Sequence, residues 1–100
     1  MKNFAAVMAE DRRLSILLCL DRAAGYKSNH FLLTHYLDAI HAHKVSHDVV
    51  RSDLAWLAEQ GLVTLAQMED QTTALLTTRG ADVANGRAEV PGIKRPLPGA

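Results

Sequence analysis

With 100 residues, 48% of them apolar and 5% aromatic, the chain is long enough for a single domain with an aliphatic core and too apolar to stay disordered. Its 11 Lys and Arg balance 11 Asp and Glu, which excludes a strongly basic nucleic-acid binder; any positive surface must come from sorting charge in space or from pairing two chains. The single cysteine, Cys19, excludes an intrachain disulfide and reads as a buried thiol.

The apolar run Leu14 to Leu20 is far shorter than the ~20 residues needed to span a bilayer. The preceding "EDRR" carries acids where a signal peptide carries positive charge, and no small-residue cleavage site follows. A cytoplasmic protein without a membrane partner is expected.

Helical periodicity starts near Glu10, with Leu14, Leu17 and Leu18 on one face and Ile16, Cys19 and Leu20 filling much of the rest. A helix apolar on nearly all sides needs cover on nearly all sides. Together with Phe4, Val7 and Met8 upstream, this makes residues 1–9 an N-terminal extension expected to supply a dimer contact; packing inside one monomer is the alternative. Gly25 is expected to end the helix in the left-handed conformation. Ser28 reads as the N-cap of a second helix, built on Leu33, Leu37 and Ile40 with Phe31 and Tyr36 on its flanks.

After "HAHKV" breaks that pattern, Ser46 is the N-cap of a third helix. Val50, Leu54 and Leu57 form its apolar stripe, Asp48 complements the dipole in its first turn, and Gly61 stops it. His47, Asp48, Arg51 and Ser52 gather as a polar surface near its N-terminus. Trp56 lies off the stripe, where it packs against the first helix or serves a subunit contact. The segments "LVTLAQM" and "TTALLTT" read as a hairpin turning at Glu69 and Asp70. Thr77 or Thr78 then caps a short last helix closed by Gly86. Residues 87–100 hold all three prolines and form a basic tail expected to be extended or disordered.

The order helix, helix, helix, hairpin, short helix predicts a mainly α domain over residues 10–86 with a small two-stranded wing. A hairpin alone is unstable and must pack on the helices. "VVRSDLAWLAEQGLV" resembles the recognition-helix signature of winged helix-turn-helix regulators, and "LLTTRGADVANG" resembles their segment after the wing. The wording "SDLAWLAEQGLV" is similar to that of small winged-helix proteins of Mu-like bacteriophages and prophages, often described as resembling regulators of the arsenic-repressor type. The resemblance implies a third helix that enters the DNA major groove.

On that expectation Arg51 is the leading candidate for a base or phosphate contact, since guanidinium matches guanine O6 and N7 as well as phosphate. Ser46, His47 and Ser52 offer hydrogen bonds, and Lys44 in the preceding turn can reach a phosphate. Arg87, Lys94 and Arg95 in the tail could track the backbone, with Lys94 and Arg95 counted among the DNA-binding residues. Against these stand Glu69 and Asp70 at the wing tip and Asp48 and Asp53 on the third helix, acids that repel a polyanion.

His41, His43 and His47 fall near Asp38 and Asp48. However, His41 and His43 are two apart, which separates them on a helix, so no metal site or other cofactor is expected. No nucleophile elbow, phosphate loop or metalloprotease helix occurs, so the chain is not expected to be an enzyme. The reading is a homodimeric, sequence-specific double-stranded DNA-binding transcription regulator of phage or prophage origin. The alternative is a winged-helix module that binds a protein partner without touching DNA.

Overall fold

The computed structural model describes residues 1–98. Helix α1 (Phe4–Arg22) is followed by strand β1 (Lys27–Asn29), helices α2 (His30–His41) and α3 (His47–Glu59), strands β2 (Val63–Met68) and β3 (Gln71–Leu76), and helix α4 (Thr78–Ala84). The strands form one antiparallel sheet in the order β1-β3-β2. This is a winged helix whose sheet is three-stranded, where the sequence predicts two strands. The missed strand pairs Lys27 with Leu75 and Asn29 with Thr73.

Helix α1 begins well before Glu10. The Asn3 side chain caps it by accepting from the Ala6 amide, so most of residues 1–9 belong to the helix. It ends at Arg22, and Gly25 takes its left-handed φ of 66° in the 3-10 turn that follows. Helix α2 is capped by Asn29 rather than Ser28, which lies in β1. Ser46 caps α3, as its position predicts, through the Val49 amide.

The end of α3 is a Schellman turn. Gly61, at φ 75°, donates to Ala58 and the next amide, Leu62, donates to Leu57. Thr77 then ties three elements together: it caps α4, its hydroxyl donates to the Gly61 carbonyl, and its amide donates to the Leu62 carbonyl. Gly80 has to be glycine here, because a Cβ would stand 2.1 Å from the Leu62 carbonyl oxygen.

Ile16, Leu17 and Leu20 of α1, Leu33 and Leu37 of α2, and Val50, Leu54 and Leu57 of α3 are fully buried together, with Ala74 and Leu76 of β3 beneath them. Each Leu in such a core contributes roughly 1.5–3 kcal/mol by leaving water. Val90 and Ile93 join this core. The segment from residue 87 is therefore folded back onto the domain at least as far as Ile93, not extended or disordered; residues 99–100 of the expected tail lie outside the described residues. Arg13 anchors it: Nη1 donates to the Gly92 carbonyl at 2.9 Å and the guanidinium stacks 4.2 Å from the Trp56 ring centroid. Trp56 thus has an intramolecular role.

Candidate nucleic-acid interface

The buried stripe of α3 presses one side of the helix into the core and leaves Ser46, His47, Asp48 and Ser52 exposed at its N-terminal half. Lys44 is exposed in the turn leading to them. These residues come together as the sequence predicts, and the unpaired amides of the first turn add a partial positive charge. Ser46 spends its hydroxyl on capping.

Asp53 is only 4% exposed and points inward. Both its oxygens accept from Arg12 of α1, through Nε and Nη2, and Arg13 Nε lies 3.8 Å away. One of the two acids counted against DNA binding on this helix is therefore neutralised inside the domain. The signal for this was present in the sequence: Asp53 is three residues after Val50 and four before Leu57, on the edge of the buried stripe.

Arg51 is partly buried and turned toward the wing. Its Nη2 donates to the Asp70 carbonyl at 3.1 Å, and its Nε points to the Thr72 hydroxyl at 3.4 Å. Thr72 in turn donates through its hydroxyl to Gln67 of β2, and its amide donates to Nδ1 of the buried His30 at 3.0 Å. His30 packs edge-on to His47, which also meets the Phe31 ring at 5.0 Å and Thr34 at 3.1 Å. A polar network centred on Thr72 thus fixes the hairpin, the start of α2 and the start of α3 relative to one another. Arg51 is a brace between α3 and the wing. Burial, followed by the charge of Arg51, holds the His30 imidazole below its ordinary pKa, which keeps Nδ1 available as an acceptor.

The wing turn is formed by Glu69, with φ 55°, and Asp70, and both are exposed. The basic tail residues do not join the α3 surface. Lys94 pairs with Asp11 at 3.2 Å and Arg95 with Glu89 at 2.7 Å, while Arg87 pairs with Asp82.

The chain does leave helical geometry at Ala42, φ 58°. His43 is then buried and bound to Asp11 at 2.6 Å, while His41 lines a groove beside α1. Among the described residues no group of three or more His, Cys, Asp or Glu is placed to hold a metal ion. Cys19 is half-buried rather than buried, and burial raises its thiol pKa. Among the same residues no helix is long and apolar enough to cross a membrane.

The chain is 48% identical over 94 residues to uncharacterized protein gp26 of Escherichia phage Mu, covering 94% of this chain and 96% of that one. It belongs to the family of Mu gp26. A Haemophilus influenzae uncharacterized protein is 38% identical over 68 residues, which cover 68% of this chain and 65% of the Haemophilus one. No protein-family model matches the gp26-like sequence. Among solved structures, RosR from H. salinarum superposes with a TM-score of 0.65 at 20% identity, over 74% of this chain and 66% of RosR. The RosR-S1 complex gives 0.67 at 20% identity, over 80% of this chain and 70% of that one. At such identity these matches show that the gp26 relative and RosR share a fold.

Proposed function

We propose that this gp26 relative is a double-stranded DNA-binding regulator of phage or prophage transcription, acting as a homodimer with α3 in the major groove. The observation that supports this most directly is the division of α3. Val50, Leu54, Leu57 and the Asp53–Arg12 pair hold its back, and Ser46, His47 and Ser52 are exposed on its front. His47 and Ser52 meet base edges; Lys44 and the first-turn amides meet phosphate. Asp48 serves the helix dipole. Arg51 sets the angle of the wing. Phe4 and Val7, exposed at the start of α1, supply the subunit contact. Two-fold symmetry then places half-sites about 34–36 Å apart.

Anisotropy of labelled duplex DNA, titrated with protein across a salt series, tests this reading. The expected log–log slope is about −0.9 for each phosphate neutralised, and Lys44→Ala lowers its magnitude by about one. Ser52→Glu places an acid on the front of α3 and abolishes binding. No binding at low salt, or unchanged binding by Ser52→Glu, overturns it. The exposed acids at the wing tip favour a second reading, in which the same surface takes a protein partner and no DNA. A defined partner whose binding is lost with Glu69→Lys and Asp70→Lys, in a protein that ignores DNA, would establish it.

A further inference from the structure

A groove of about 410 Å³ runs between α1, β1 and the outer side of α2. Its floor is apolar: Leu18 of α1 lies opposite Leu32, Tyr36 and Ile40 of α2. These three α2 residues recur every four positions and are 48%, 42% and 65% exposed. Three large apolar side chains in a row, spanning about 12 Å of helix at 1.5 Å per residue, match the anchor spacing of a helix laid in a groove. Isolated surface apolar residues need no explanation, but a contiguous lined stripe does.

The rim determines what fits. Arg22 and Lys27 stand on it, with the half-buried His41 beside them, and no Asp or Glu lines the groove. In a chain whose charges balance overall, this local excess is a selection for anions. It also disfavours a second copy docked face to face, since two identical rims bring Arg22 and Lys27 against their own counterparts. No α3, β2 or β3 residue lines the groove, so an occupant leaves the α3 surface open.

We propose that this groove is the docking site for an amphipathic helical segment of another protein, apolar along one face and carrying carboxylates beside it. The apolar face packs on Leu32, Tyr36 and Ile40, and the carboxylates meet Arg22 and Lys27. The inference is independent of DNA binding by α3.

The test uses the full chain and two labelled helical peptides with the same leucine stripe, one flanked by glutamates and one by lysines, followed by anisotropy. The acidic peptide is expected to bind at least about tenfold more tightly, because two rim attractions become two repulsions in the basic one, and the gap narrows with salt. Lys27→Glu, at an exposed position, reverses the preference. Ile40→Ser weakens both peptides and leaves the melting temperature nearly unchanged. Equal binding of the two peptides, or binding of neither, overturns the proposal. So does sedimentation showing a dimer of the free chain that Ile40→Ser dissociates, which would give the groove to a second copy.

Discussion

Replacing Asp53 by alanine removes a buried carboxylate that faces two guanidinium groups. Asp53 is 4% exposed, Arg12 binds it through two nitrogens, and the buried Arg13 Nε, which has no hydrogen-bond partner, lies 3.8 Å away. Breaking a buried pair by deleting one partner costs about 3–5 kcal/mol, because the surviving charge stays desolvated. The upper part of that range applies here, since two cations lose their counter-charge. For a domain of this length 1 kcal/mol corresponds to about 5 °C, so Asp53→Ala is expected to lower the Tm by roughly 20–25 °C. Replacing both partners, as Arg12→Met with Asp53→Leu, should recover most of that loss. Urea denaturation and differential scanning calorimetry read both variants. A loss below about 1 kcal/mol for Asp53→Ala refutes the inward placement. It would also return an acid to the exposed side of α3 proposed to face DNA, and Asp53→Asn would then tighten DNA binding instead of leaving it unchanged.

Gly80→Ala drives a methyl into the Leu62 carbonyl and to 2.7 Å from Leu76 Cδ1; overpacking against backbone costs about 3 kcal/mol or more, read as a drop in the urea midpoint at constant m-value. Arg51→Ala removes the brace on the hairpin, so amide exchange at Asp70 to Thr72 should accelerate about tenfold, in line with about 1 kcal/mol per hydrogen bond; unchanged exchange would contradict the brace. Because His30 is held below its ordinary value of 6.5, the unfolded chain takes up that proton first as pH falls. Its contribution to stability is complete above the unfolded pKa and is lost as pH drops from there through the folded one, by up to about 1.4 kcal/mol per pH unit. His41 shifts in the same direction, so the comparison is between the chain and His30→Gln, whose stability should fall less steeply between about pH 7.5 and pH 5.

The parts of the fold legible in the sequence are those coded by neighbouring residues. Ser46, the Val50–Leu54–Leu57 stripe, Gly61 and the turn at Glu69 and Asp70 each carry a local signal, and each sits where that signal places it. Strand β1 carries none. Lys27, Ser28 and Asn29 are polar and only three long, and they become a strand because the open edge of β3 lies alongside them. The same holds for the tail, where two apolar residues, Val90 and Ile93, suffice to dock it once Arg13 and Trp56 are in place. On the α3 surface, residue types and positions are readable from helical geometry. Their partners are not: Arg12 is 41 residues from Asp53, Thr72 is 21 from Arg51, and Lys94 is 83 from Asp11. Thus Arg51 and Lys94, which look available for DNA in one dimension, are engaged with other parts of the domain in three.

On the proposed function, the exposed N-terminal half of α3 reads duplex DNA while its other face stays locked to the core. Backbone amide chemical-shift mapping of the labelled protein, titrated with duplex DNA at low salt, tests it most directly. The largest shifts are expected on Lys44 to Ser52, with smaller ones in the wing and none along Leu32, Tyr36 and Ile40. An absence of shifts, or shifts confined to the α2 groove or to the segment around Lys94 and Arg95, would contradict it.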